Sequence, residues 1–106
     1  MPRYIDTLPD ADLPEGDKRC LDAAGTAIVL CRADGKLHAF VNNCPHAGLP
    51  LGDGELRRHV ITCPFHGYTF DIRTGRNIDF PEQEQPLTTL PVRVEDDMIQ
   101  VDVETT

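Results

Sequence analysis

Two eleven-residue stretches, NNCPHAGLPLG at 42–52 and ITCPFHGYTFD at 61–71, rhyme. Each holds a Cys-Pro, a His close behind it and then a Gly, and the two cysteines, Cys44 and Cys63, stand nineteen positions apart. The combined pattern is Cys-x-His, sixteen residues (47–62), then Cys-x-x-His. Proline after each Cys removes a backbone donor, and the following Gly is turn chemistry, so both stretches read as loops. Two thiols and two imidazoles carried by a pair of matching loops point to a metal site. Small buried cysteines beside ordinary loop histidines would account for one such stretch, but poorly for two.

The segments around these loops are short, apolar and punctuated by turns. RYIDTL (3–8) reads as an edge strand, and the acidic DADLPEGD (10–17) as a loop. TAIVLCRA (26–33) is β-branched and apolar; Asp34-Gly35 then marks a two-residue hairpin with KLHAFVN (36–42) as its second arm. HVIT (59–62) and YTFDI (68–72) read as short strands, the second ending at a Thr74-Gly75 turn. LPVRVED (90–96) and MIQVDVE (98–104) alternate as a last hairpin, with Val92, Val94, Met98 or Ile99, Val101 and Val103 as the apolar positions. No stretch carries a convincing helical period. The expectation is an all-β fold, a small antiparallel sandwich or barrel bearing a two-loop metal-binding subdomain.

A chain of 106 residues suits one domain, 1–106, with a modest core. Trp is absent and aromatics reach only 6%, so a bound metal would help tie a thin core together. The net charge of −8 excludes nucleic acid and disfavours anionic membrane surfaces as partners. It serves solubility, or steering toward a basic partner. Residues 55–76 depart from the trend, with Arg57, Arg58, Arg73 and Arg76 against Glu55 and Asp71. No apolar run approaches the ~18–20 residues of a membrane span. The opening MPRYIDTLPDAD lacks the apolar middle of a signal peptide. A soluble, cytoplasmic protein is therefore expected, in which four cysteines favour free thiols or metal ligands over disulfides.

A structural zinc site accepts Cys₂His₂, but usually pairs its cysteines in one knuckle and its histidines in another. Here each loop mixes the two. Mixing suits a dinuclear centre, because two facing loops can each span it, sending both thiolates to one iron and both imidazoles to the other.

With that pattern the chain closely resembles the Rieske family. CPHAGLPLGDG and CPFHGYTFDIRTGR match its two cluster-binding boxes, and GRNIDFPEQEQPLTTLPVRVEDD resembles its proline loop and following hairpin. The resemblance runs from about Asn42 to the C-terminus. It implies one [2Fe–2S] cluster per chain, held by loops at about 42–53 and 62–71 and covered by a proline loop at about 79–87. Cys44 and Cys63 would bind one iron, and His46 and His66 the iron nearer solvent. Pro45 and Pro64 would stiffen the loops. Gly48, Gly52 and Gly67 would admit backbone amides to the bridging sulfides, or serve as plain turn residues. Leu49, Leu51 and Phe65 would shield the cluster. Pro81 and Pro86 flank EQEQ, where Glu82 and Glu84 could meet a partner.

High-potential members of the family carry a disulfide between the two loops, with Ser and Tyr hydroxyls on the cluster. Here no extra Cys lies in the loops, and Tyr68 and Phe70 occupy the hydroxyl positions. A potential near the low end follows. The resemblance is to soluble Rieske ferredoxins, electron carriers between a flavin-dependent reductase and the terminal oxygenase of an aromatic-ring-hydroxylating system. A whole oxygenase would need a far longer chain. A Rieske-like small subunit of a larger reductase, such as nitrite reductase, and a non-redox zinc domain remain as alternatives. Outside the set, Cys20 and Cys31 read as buried structural thiols, and His38 and His59 as ordinary strand or surface residues. The four arginines are solvated charges or flank a docking face.

Overall fold

The computed structural model of the chain describes residues 2–45, 48, 50–65, 67–82 and 85–104. Its strands are β1 (Tyr4–Pro9), β2 (Lys18–Ala23), β3 (Thr26–Ala33), β4 (Lys36–Val41), β5 (Leu56–Arg57), β6 (Val60–Thr62), β7 (Thr69–Asp71), β8 (Thr89–Leu90), β9 (Val92–Glu95) and β10 (Met98–Asp102). They form three sheets, ordered β1-β10-β9, β2-β3-β4-β8 and β5-β6-β7, with every pairing antiparallel. The all-β expectation holds. A 3-10 turn at Asp10–Asp12 interrupts the segment read as a plain loop.

The layering follows from β3. Its run Ile28, Val29, Leu30, Cys31 is buried throughout, which a strand achieves only when both faces of its sheet are covered. Successive side chains point to opposite faces. Val29 and Cys31 join Phe40, Leu51, Ile61, Phe70 and Ile72 in one core, against β5-β6-β7. Ile28 and Leu30 join Leu13, Ala39, Ile99 and Val101 in a second, against β1-β10-β9. The four-stranded sheet is thus the middle layer. Full burial of each such Val, Ile or Phe side chain contributes about 1.5–3 kcal/mol.

Three of the hairpins close with two-residue turns of one kind. Ala24-Gly25, Asp34-Gly35 and Asp96-Asp97 all have positive φ at both positions, the twist that matches right-handed strands. Asp34-Gly35 is further capped by Glu15, whose carboxylate accepts both turn amides at 2.7 and 2.8 Å.

Three strands escaped the sequence reading: β2, β8 and the two-residue β5. β2 is an outer strand of its sheet with mixed polar residues, and β8 is only two residues long. Val94 departs from the expected apolar stripe and is 45% exposed, because β9 is the edge of its sheet. Among the described residues, no helix is long and apolar enough to cross a membrane.

Gly54 joins the two loops read from the sequence. A Cβ there would lie 2.0 Å from the Thr62 carbonyl oxygen and 3.0 Å from that of Leu51. The end of the first loop therefore rests directly on backbone leading into Cys63. Gly54→Ala is expected to destabilise the protein by about 1–3 kcal/mol, the ordinary cost of overpacking. Denaturant unfolding would measure it, and an unchanged midpoint would contradict the close approach.

Candidate metal centre

β4 ends at Val41, and the chain turns through Asn42 and Asn43 into Cys44. β6 ends at Thr62, one residue before Cys63. Both cysteines are buried, 0% and 1% exposed, and both belong to the core between the middle sheet and β5-β6-β7. None of the four cysteines is in a disulfide.

The rhyme in sequence is also a rhyme in backbone. Gly48 donates its N–H to the Cys44 carbonyl at 2.7 Å, and Gly67 donates to the Cys63 carbonyl at 3.0 Å. Both glycines have positive φ, 69° and 73°. One turn, closed four residues on by a left-handed residue that favours Gly, is used twice. In sequence each turn encloses its His; His46 and His66, like Leu49 and Glu84, lie outside the described residues. Among the described residues, no group of three or more His, Cys, Asp or Glu could hold a metal ion.

The glycine amides are committed to protein acceptors. Gly48 and Gly67 close the turns, and Gly52 donates to Asn42 Oδ1 at 2.9 Å. These bonds show the turn chemistry read for the three glycines. Asn42 was not singled out from sequence, yet it accepts from both Leu51 (2.7 Å) and Gly52 and so clamps the first loop. An Asn at a strand end ahead of a loop was the available signal.

Leu51 is buried beside the cysteines as expected, and Phe65 is 53% exposed. Phe65, Ile78 and Phe80 are large exposed apolar side chains near the second loop, with Pro64 and Pro81 exposed beside them. Glu82 and Pro86 are exposed as well.

The arginines lie elsewhere. β6 runs from Val60 into Cys63, so Arg57 and Arg58 sit at the opposite end of that sheet. Asp71 pairs with Val60, which puts Arg73 there too, and Arg76 accepts from the Asp71 amide. They do not flank the cysteine loops. Arg73 grips Asp71 through two nitrogens at 2.9 and 3.0 Å, and this hydrogen bonding holds the Asp71 carboxyl below its usual range. His38 lies on β4, where burial lowers its pKa, and His59 faces Asp34 across 3.7 Å.

Cys20 and Cys31 part company. Cys31 is buried as expected, and burial pushes its thiol up to about 12 against the opposing pull of Lys18. Cys20 is exposed, a correction, because β2 turns it to the rim of its sheet; its sulfur lies 2.0 Å from where a Gly52 Cβ would stand.

The Rieske [2Fe-2S] domain family model matches residues 4–99. The ferredoxin component of the naphthalene 1,2-dioxygenase system of Pseudomonas aeruginosa is 32% identical over 101 residues, spanning 95% of this chain and 96% of that protein. Among solved structures, Sphingomonas yanoikuyae B1 ferredoxin superimposes with a TM-score of 0.82 at 32% identity, covering 94% of this chain and 98% of that one. A complex of reduced oxygenase and oxidized ferredoxin in carbazole 1,9a-dioxygenase contains a chain that matches with a TM-score of 0.87 at 27% identity, over 97% and 95%. The chain belongs to the Rieske [2Fe-2S] domain family. Its cofactor is a Rieske-type [2Fe–2S] cluster, and it is an electron carrier rather than a catalyst. The donor chemistry fits that cofactor: matched turns present two thiols from one buried core.

The two remaining thiols should differ sharply in reactivity. The thiolate is the nucleophile, and at pH 8 a group titrating near 12 is ionised in only about one molecule in ten thousand. Alkylation of the cluster-loaded protein at pH 8, read by mass spectrometry, should label Cys20 and leave Cys31 until unfolding. Equal labelling rates would contradict the burial of Cys31.

Proposed function

We propose that Cys44, His46, Cys63 and His66 hold the cluster, with the two thiolates on one iron and the two imidazoles on the other. The carrying observation is the repeated Cys-to-Gly turn, which brings both cysteines to a single core. Spacing supports the histidines, one inside each turn in sequence. When bound, the cluster takes up and releases one electron. All four ligand positions come from the chain, so it acts by holding, insulating and presenting that centre. Residues 1–106 work as one domain.

The surroundings argue for a potential near the low end of the Rieske range, about −150 mV. Hydrogen bonds to a cluster raise its potential. Phe70 is fully buried and has no hydroxyl, and the amides of Gly48, Gly52 and Gly67 are engaged by protein oxygens. Two ferric ions, two sulfides and two thiolates sum to about zero charge, and reduction makes the site negative. A buried apolar setting resists that step.

The physiological route proposed runs from a flavin-dependent reductase, through this chain, to the terminal oxygenase of an aromatic-ring-hydroxylating system in the cytoplasm. Likeness to the ferredoxin component of the naphthalene system supports it, as does likeness to the carrier bound to oxygenase in the carbazole system. Exposed Phe65, Ile78 and Phe80 supply the apolar contact that brief docking needs beside the second loop.

An anaerobic redox titration, followed by turnover with reductase and oxygenase, tests the reading. A one-electron midpoint near the low end and transfer to the oxygenase are expected. A high midpoint, or failure to exchange electrons with any such pair, would contradict it. Cys63→Ser and His66→Ala should lose the visible chromophore, and the cluster-free protein should melt earlier, because metal binding is coupled to folding. An unchanged melting temperature without cluster would refute that coupling.

A further inference from the structure

The root of the proline loop is bolted to the second ligand loop by residues that have no place in the cluster-binding boxes. Asn77 bridges to Phe70 and is 1% exposed. Its Oδ1 accepts from the backbone N–H groups of Asp79 and Phe80, both at 2.9 Å. Only the oxygen of a carboxamide can accept two such bonds, so the orientation of the group is fixed. Its Nδ2 is buried without a hydrogen-bond partner, a cost of about 1–3 kcal/mol that the turn sustains.

That turn aims Asp79 back at the strand it has just left. Asp79 Oδ2 accepts from the Thr69 N–H at 3.0 Å and from the Thr69 hydroxyl at 2.9 Å. Ile78 donates its N–H to the Thr69 carbonyl at 2.8 Å. Every polar group of Thr69 is thus engaged by residues 78 and 79. One residue earlier, the Tyr68 ring meets Phe80 edge-on, with centroids 5.5 Å apart and planes at 66°. The Tyr68 carbonyl accepts the Cys63 amide at 2.7 Å. The chain of contact therefore runs from Asn77 through Asp79 and Phe80 to residues 68–69, and from there to a proposed ligand.

We propose that Asp79, aimed by the buried Asn77, is a positioning residue that latches the proline-loop root over the second ligand loop and so controls water access to the cluster. The inference rests on the ligand assignment proposed above. Asp79 is exposed, so its replacement leaves the core untouched. Its charge-assisted bonds to Thr69 are of the stronger kind.

The test uses cluster-loaded wild type, Asp79→Ala, Asp79→Asn and Thr69→Val. The readouts are the rate of chromophore loss to an iron chelator, the midpoint potential and the melting temperature. Asp79→Ala should accelerate cluster loss at least about tenfold, since it removes two charge-assisted hydrogen bonds and the loss of even one is of that order. Asp79→Asn keeps an acceptor oxygen and should restore most of the wild-type rate, with Thr69→Val in between. The midpoint should rise more in Asp79→Ala than in Asp79→Asn, since water admitted to the site favours its charged, reduced state. Equal effects of Ala and Asn would reduce Asp79 to a bare charge and overturn the latch. A lower melting temperature with unchanged loss rate and midpoint would overturn it too, leaving a structural role only. A wild-type protein without iron and acid-labile sulfide would instead overturn the ligand assignment. Amide exchange at Thr69 then decides the latch by itself: protection in wild type and its loss in Asp79→Ala support it, and equal exchange refutes it.

Discussion

The backbone of the first loop lies on the backbone that enters the second, at Gly54 against the Thr62 carbonyl, and no side chain separates them. The rest of the site depends on that contact. Cys44 and Cys63 come from different sheets, the first following β4 and the second β6. A cluster that takes a ligand pair from each loop needs the two within a few ångströms of each other. Close packing of backbone on backbone supplies this without a disulfide. The middle sheet, buried on both faces, provides the floor against which the small three-stranded sheet is held.

The same economy shapes the electronic setting. Asn42 and the glycine turns use up loop amides to hold the loops, so rigidity is obtained with donors that could otherwise have faced sulfide. Phe70 is fully buried in the same core as the two cysteines and brings no hydroxyl there. Among the described residues the cradle is held stiff by its own amides. The arginines of residues 55–76 do not gather around the cysteine loops; the apolar Phe65, Ile78 and Phe80 stand there instead. Asp79 and Glu82 are exposed beside them.

Much of this was legible in the sequence where a rule is local. Asp34-Gly35 announced its hairpin, the apolar run 26–33 its buried strand, and the paired Cys-Pro boxes their loops and chemistry. What escaped was polar, very short, or set by partners distant in the chain. β2 has too few apolar residues to stand out, and only its place beside β3 explains it. Cys20 was expected inside and lies at the rim, because a thiol's burial is set by the sheet's edge and not by its neighbours in sequence. Asn42, Asn77 and Asp79 were not singled out; that Asn42 and Asp79 hold amides of other segments, and that Asn77 is buried while it aims Asp79, appears only when the loops are folded. The arginines read as solvated charges or flanks of a docking face, and strand direction carries them to the end of their sheet away from the cysteine loops.

The central claim is that two loops give one cluster two imidazoles as well as two thiolates. Pulsed electron paramagnetic resonance on the reduced protein, prepared with ¹⁵N-labelled histidine, tests it most directly. The account predicts couplings to two histidine nitrogens, both retained when His38 and His59 are replaced. A signal without nitrogen coupling, as from an all-thiolate cluster, or couplings that vanish with His38 or His59, would contradict it.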